Sequence, residues 1–274
     1  MFAGEHTSLN AIHCIIPSLC PRSYTHGPLS STNNTFFLAT DFLNLSPSTS
    51  TSTSTGTNLS LAQKLAKLHS TPAPIPQGYN NPQFGFPVPT CCGDTFQDNS
   101  FKASWAEFYA ENRLRGVLQE GEKKHGRDSE LASLVERTVA VVVPRLLRDG
   151  HLRSPGGGDV VPVVVHGDLW SGNHGRGTIG MGGVEEVVFD PSSSYSHAEF
   201  EWGIMRMFGG FSGVFEKEYF ELKEKDEPSE EWKDRVMLYE LYHHLNHYSI
   251  FGGGYRGGAV RIMESLLRKF GDER

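Results

Sequence analysis

The sequence predicts an α+β fold, with a thin β-containing start and then a mainly helical domain that a short pair of strands interrupts. Three observations lead there. Runs rich in β-branched and aromatic residues occur at Thr35–Leu43 (TFFLATDFL), Val160–Val165 and Glu185–Phe189 (EEVVF), the composition of half-buried or buried strands. Apolar residues recur at helical spacing through Leu61, Leu65 and Leu68, through Leu238, Leu241, Tyr242 and Leu245, and through Ile262, Leu266 and Phe270. Stretches dense in Pro, Gly, Asn or Ser separate these segments and read as loops.

In chain order, Phe2–Ile12 reads as a short helix with Phe2, Leu9 and Ile12 near one face. Thr35–Leu43 is expected as one strand. Ser46–Thr57 is almost entirely Ser and Thr, cannot bury apolar area, and is expected as a disordered insert. Leu59–His69 is a helix with Ser60 as candidate N-cap. Residues Ser70–Asn99 read mainly as loop, followed by helices over Ser104–Lys124 and Ser129–Arg148 and a turn-rich link at Arg153–Asp159. Val160–Val165 is then a buried strand, with Glu185–Phe189 as its expected hairpin partner and the Gly-rich stretch Gly175–Gly183 as connector. Beyond Pro191 the chain is expected to be helical to its end.

Hydrophobic residues make up 38% and charged residues 21% of 274, the composition of an ordinary globular protein able to bury a substantial core. A net charge of −7 argues against nucleic acid as a partner, since a phosphate backbone recruits Lys/Arg-rich faces. No run of about 18 apolar residues occurs, so no membrane span is expected, and Ala11–Leu19 lacks the basic flank of a secretory signal. Cys14, Cys20, Cys91 and Cys92 have neither CxxC nor disulfide-framework spacing, so reduced thiols and a cytoplasmic location are expected. A targeting segment upstream of residue 1 would give an organellar address instead. Oligomeric state is not specified by any of these features.

The chemistry concentrates in His166-Gly167-Asp168-Leu169-Trp170-Ser171-Gly172-Asn173, directly after a buried strand, and in Asp190, directly after the next. Phosphoryl transfer asks for a carboxylate beside the attacking hydroxyl and for hard oxygen ligands to Mg²⁺. An Asp, an Asn five residues on and a second Asp after a strand supply that set, in the pattern HRDxxxxN followed by an Asp-led motif. Gly167 replaces the Arg, and Pro191 follows Asp190, which points away from protein kinases. Each element alone also has a plain structural reading: HGD as a turn after a strand, Asn173 as a turn cap, Asp190-Pro191 as a hairpin exit.

The segments HGDLWSGN, FDPSSSYSHAEFE, MRMFGGF and LYELYHHLNHYSIFGGGY, with Phe84-Gly85-Phe86, Ser104-Trp105-Ala106-Glu107-Phe108 and Arg113-Leu114 upstream, resemble the fructosamine-3-kinase (ketosamine-3-kinase) family. The resemblance implies a protein-kinase-like, aminoglycoside phosphotransferase-like fold. It also implies ATP- and Mg²⁺-dependent phosphorylation of the 3-hydroxyl of ketosamines, which are sugar adducts on lysine and other amines carried by small molecules or glycated proteins. Carried over by position, Asp168 would be the catalytic base, Asn173 and Asp190 would hold Mg²⁺, and His166 would brace the loop. Trp170 would shape the sugar pocket or else cover the hairpin. Ala39–Leu43 resembles the strand joining the two lobes, so Asp41, Phe42 and Leu43 would dock the adenine.

Glu199 and Glu201 lie where such kinases brace the catalytic loop, but are taken here as helix-start carboxylates complementing the dipole. The stretch Tyr239–Tyr248 reads as helix core, with the substrate cleft as the alternative for one of His243, His244 and His247. Glu5 resembles the family's lobe-helix acid that pairs with a strand Lys. No Gly-rich turn or Lys-bearing strand precedes it, so the β lobe is expected to be incomplete. The domains are then a lobe remnant with hinge strand at 1–45, the insert at 46–57 and a helical catalytic lobe at 58–274. A catalytically impaired binding module, or a kinase of another small hydroxylated substrate of the aminoglycoside or choline type, are the alternatives.

Overall fold

The computed structural model describes residues 1–45 and 59–271; the Ser/Thr-rich run at 46–57 lies outside them. Helix α1 (Phe2–Ile15) runs one turn beyond the expected end and buries Ser8, Leu9 and Ile12. Strand β1 (Ser23–Pro28) then pairs antiparallel with β2 (Phe36–Thr40). The run expected as one strand breaks at Asp41 and Phe42 and resumes as β3 (Leu43–Leu45) in a different sheet. The cause is local. The Asp41 N–H donates to the Arg22 carbonyl at 2.9 Å while its carboxylate accepts from the Arg22 N–H and the Tyr24 hydroxyl, which pins Asp41 at the end of the β1–β2 pairing before the chain passes to β3.

Helix α2 (Leu61–Ser70) starts at a capping box: the Ser60 hydroxyl accepts from the Gln63 N–H at 3.1 Å, and the Gln63 amide oxygen accepts from the Ser60 N–H at 3.0 Å. Its buried face holds Leu61, Leu65 and Leu68, and also Lys64. The Lys64 ammonium is satisfied by the Ser18 carbonyl, the Glu185 carboxylate at 2.7 Å and the Glu186 carbonyl. It ties α2 to the strand that leads to Asp190. Within the expected loop at 70–99, composition concealed a small hairpin, β4 (Thr90–Cys92) with β5 (Thr95–Gln97).

Residues 105–125 form one continuous helix: α3 (Trp105–Phe108), a widened π segment over Tyr109–Arg115, and α4 (Gly116–His125). Residues 129–147 repeat the plan with α5 (Ser129–Arg137), a π segment and α6 (Val143–Leu147). Both match the expected helices.

The strand pairing differs from expectation. Strand β6 (Val163–Val165) does not pair with the 184–188 segment; its partner is β9 (Ser194–Ser196). Strand β8 (Val184–Val188) pairs with β7 (His174–Ile179), so the Gly-rich stretch read as connector is itself mostly strand. A buried apolar run carries no label for its partner, and a short turn joins 174–179 to 184–188 as a hairpin. Glycine is required within β7 at Gly177, where a Cβ would stand 2.7 Å from the Asn44 carbonyl oxygen of β3. The resulting sheet is β3-β7-β8, which bonds the segment after the hinge to the strand after Asn173.

After β9 the chain is helical: a 3₁₀ turn over Ala198–Glu201 leads into α7 (Trp202–Phe208), then α8 (Gly213–Leu222), α9 (Trp232–Phe251) and α10 (Arg256–Phe270). Leu238, Leu241, Tyr242 and Leu245 are buried in one core with Trp105, Phe108, Tyr109 and Phe200; Leu266 and Phe270 join it and Ile262 packs at its margin. A second core under α1, α2 and α7 gathers Leu9, Ile12, Leu65, Val164, Leu169, Val188 and Trp202. The two clusters support the segment His166–Asn173 from both sides, Val165 lying in the first and Val164 and Leu169 in the second. Among the described residues no helix is long and apolar enough to cross a membrane.

Candidate active site

Two small ladders clasp the segment His166–Asn173. Asn173 immediately precedes β7 and Asp190 follows β8, so the antiparallel register, His174 opposite Val188, brings both residues to the open end of one hairpin. The Phe189 N–H closes that end on the Asn173 carbonyl at 3.1 Å. Asp168 follows β6 and Ser192 precedes β9, and the Ser192 N–H donates to the His166 carbonyl at 2.9 Å. Asp168, Asn173 and Asp190 therefore converge because of strand register.

His166 is fully buried and does brace the loop. Its Nε2 meets the Phe189 carbonyl at 3.0 Å and its Nδ1 accepts from the Asp168 N–H at 3.3 Å. These two bonds assign the Nε2–H tautomer, and burial, which lowers the ring's basicity, keeps it neutral. The Asn173 Nδ2 donates to the Asp168 carbonyl at 2.9 Å and to its carboxylate at 3.3 Å. That orientation turns the amide oxygen away from Asp168. Asp190 adopts φ 58, the left-handed region that Asp tolerates better than most residues.

The reading of Glu199 and Glu201 as helix-start carboxylates is overturned. Both are buried. Glu201 accepts the backbone N–H groups of His166 at 2.5 Å and Gly167 at 2.9 Å, with the His69 ring 3.5 Å away. Burial alone would raise the Glu201 carboxyl; the nearby His69 ring and the bond from the His166 N–H outweigh it and hold the group below its usual range. Glu199 takes a bidentate pair from the buried Arg235 and the Asp226 N–H. A carboxylate in a 3₁₀ turn directly behind a loop of bare N–H groups serves the nearest donors first, and here those belong to another segment.

Burial, and after it the charge of Asp190, push the Asp168 carboxyl up to about 7. Glu5 is likewise raised, by burial and then by Asp190. Three hollows meet at these carboxylates. One of about 450 Å³ is lined by Asp41, Phe42, Leu43, Glu5 and Asp190, so the predicted hinge residues do face the predicted metal ligand. A second, of about 310 Å³, places Asp168, Asp190 and Glu5 on one wall. The third, about 300 Å³, lies on the other side of Asp168 and is lined by Trp170, Phe208, His247 and Tyr255. Trp170 is 38% exposed and packs on Phe208 with ring centroids 5.7 Å apart. It is thus a wall of this hollow, and His247 of α9 lines it too. Sequence reasoning missed Cys92, Asn246, Phe208 and Tyr255 as lining residues. Cys92 sits in a hairpin whose composition reads as loop, and no local pattern marks it.

The family model for fructosamine kinase matches residues 1–269. The chain belongs to the fructosamine kinase family. A ketosamine-3-kinase from mouse (Mus musculus) is 39% identical over 186 residues, 68% of this chain and 54% of that protein. A protein-ribulosamine 3-kinase from rice (Oryza sativa subsp. indica) is 34% identical over 268 residues, 98% of this chain and 69% of that one. The matched region thus spans between about half and two thirds of the length of these relatives. In fold, the chain is similar to the crystal structure of a protein assigned as a fructosamine-3-kinase from Thermobifida fusca, with a TM-score of 0.71 at 23% identity, covering 98% of this chain and 80% of that one. The fold class expected from the resemblance, α+β and kinase-like, is therefore the one observed.

Proposed function

We propose that this fructosamine kinase family chain transfers the γ-phosphoryl group of ATP to the 3-hydroxyl of ketosamines, the ribulosamine and fructosamine adducts of lysine, on small molecules or proteins. The observation that carries the proposal is the convergence of two ladders, β7–β8 setting Asn173 beside Asp190 and β6–β9 presenting Asp168 to Asn173, between a hinge-lined hollow and an aromatic one. The names of the mouse and rice relatives support the same substrate class.

The donor set fits Mg²⁺. Asn173 turns an amide oxygen away from Asp168, and Asp190 adds a carboxylate at the same hairpin mouth, both hard oxygen donors. A bound Mg²⁺ supplies charge neutralisation to the phosphate oxygens. Asp168 is the base. Its carboxylate accepts the proton of the sugar hydroxyl as that oxygen takes up the phosphoryl group. Asn173 orients the carboxylate through its Nδ2, and Glu201 fixes the backbone on which Asp168 stands. Trp170 and Phe208 present apolar ring faces that suit the carbon face of a sugar and exclude water from the acceptor side. Asp41, Phe42 and Leu43 line the larger hollow, on the side where the adenine would dock.

The test is radiolabel transfer from ATP and Mg²⁺ to a ribulosamine–lysine adduct, with this chain and its Asp168→Asn variant. Transfer that drops about 10²–10⁴-fold in the variant is expected for loss of a general base. Equal transfer by both proteins would remove Asp168 from the mechanism. Transfer to choline or an aminoglycoside in preference to the ketosamine would replace the substrate class, and nucleotide-free binding of ketosamine without transfer would leave a binding module.

A further inference from the structure

His243 poses a problem that phosphoryl transfer does not solve. Its side chain is fully buried on α9, stacked on Phe200 with ring centroids 5.7 Å apart and set edge-on to Tyr242 at 4.9 Å. Both ring nitrogens lack a hydrogen-bond partner among the described residues. Leaving a buried polar group unpaired is costly, so a Phe or Leu at this aromatic position would be cheaper unless the imidazole meets something else. One of its nitrogens, the Cys92 sulfur and a carboxylate oxygen of Asp168 all lie within 4.8 Å of one another.

We propose that Cys92, Asp168 and His243 form a binding site for a zinc-class divalent cation, whose occupancy withdraws the catalytic carboxylate. The donor types are those that zinc selects: one thiolate, one neutral imidazole and one carboxylate oxygen, leaving a fourth position open. Bonds of about 2.0–2.3 Å bring tetrahedral ligand atoms to within roughly 3–4 Å of one another, so the three side chains need to close by no more than about 1–2 Å. The charges balance. A thiolate and a carboxylate neutralise a divalent ion, which a buried site requires, and the thiol proton displaced by the metal passes to solvent. Burial, with His247 adding to it, keeps His243 in the neutral, ligating form. The Asn246 amide stands 3.2 Å from the Cys92 sulfur, a donor well placed to support a metal-bound thiolate. The open fourth position faces the hollow shared by Cys92, Asp168 and Asn246, which gives an ion a way in.

A second His/carboxylate group in the fold is a useful contrast. His197, Glu199 and Asp226 are as close to one another, but His197 is bonded at both nitrogens, to Tyr239 at 2.8 Å and Asp226 at 2.7 Å, and Glu199 is held by Arg235. Those ligands are already satisfied; His243 is not.

Metal binding stands independently of the kinase reading, whereas its inhibitory consequence rests on that reading. The test therefore reads binding directly on the full chain. Cobalt(II) is expected to bind at one equivalent with a thiolate-to-metal charge-transfer band, and zinc(II) to displace it. The band is expected to vanish in Cys92→Ser, and zinc affinity to fall at least about tenfold in His243→Phe, with far-ultraviolet circular dichroism unchanged. X-ray absorption of the zinc-loaded wild-type chain, which needs no variant, is expected to give one sulfur ligand at about 2.3 Å. A zinc shell without sulfur, no stoichiometric cobalt, or a band that persists in Cys92→Ser overturns the site. If the site binds but zinc does not slow phosphoryl transfer, the inhibitory role falls and the site remains.

Discussion

The carboxylate of Glu201 accepts the N–H groups of two consecutive residues, His166 at 2.5 Å and Gly167 at 2.9 Å, directly ahead of Asp168. The loop that carries Asp168, the proposed base, is therefore held from behind by a buried charge. Glu201→Ala would leave both N–H groups buried and unpaired. At about 1–3 kcal/mol for each, the variant should lose roughly 2–6 kcal/mol in urea unfolding, and lose phosphoryl transfer in greater proportion than stability. A variant as stable as wild type would mean that the two bonds do not matter.

Asp168 should also shape stability against pH. Unfolded, it releases its proton near 3.8; folded, burial and Asp190 delay this to about 7. Between those values the folded chain holds the extra proton, so this group's contribution falls as pH rises from 4 to 7 and stays low above. Asp168→Asn cannot ionise. It should match wild type at pH 4 and exceed it at pH 8 on the order of 2 kcal/mol in metal-free buffer, with about 4 kcal/mol as the ceiling. A difference between the two proteins that does not change with pH would contradict the shift.

Removing Asp190 should act twice. Asp190→Asn deletes a proposed Mg²⁺ ligand and deletes a charge that raises Asp168. The Mg²⁺ concentration for half-maximal transfer should rise at least about tenfold, equivalent to about 1.4 kcal/mol. The Asp168 carboxyl, followed by carbon-13 NMR, should titrate at lower pH than in wild type. An unchanged titration would place Asp190 too far away to couple.

Gly167 sits at φ 82, and a Cβ there would fall onto the Ser192 carbonyl that borders β9. Gly167→Ala should lose at least about 2 kcal/mol, the cost of a left-handed alanine plus the displacement of one strand. Thermal denaturation gives the check; a melting temperature within about 1 °C of wild type, against the roughly 4–8 °C drop that about 2 kcal/mol implies in a chain this size, would refute it.

Helices were the legible part of the fold. The cap at Ser60, the stripe Leu238, Leu241, Tyr242 and Leu245, and the boundaries near 104 and 129 follow from neighbours a turn apart, and the structure keeps them. The 160–165 run was recognised as a strand but given the wrong partner, because a Val-rich stretch specifies burial and says nothing of who pairs with it. Within the site, His166, Asp168, Asn173 and Asp190 were readable as a motif because their spacing is short and their residue types are chemically restricted. Glu201 was misread because the same carboxylate fits a helix start and a loop brace equally well in sequence.

The sequence by itself determined which residues could do phosphoryl chemistry, the helical body that carries them and the family to which the chain belongs. Only the tertiary structure decided that β7 and β8 pair, which is what sets Asn173 beside Asp190, and that Cys92 of one hairpin meets His243 of a distant helix at Asp168. The physical reason is range. Helix periodicity, caps and turns are fixed by interactions over a few residues, whereas strand partners and buried side-chain clusters are fixed by the packing of cores that assemble from the whole chain.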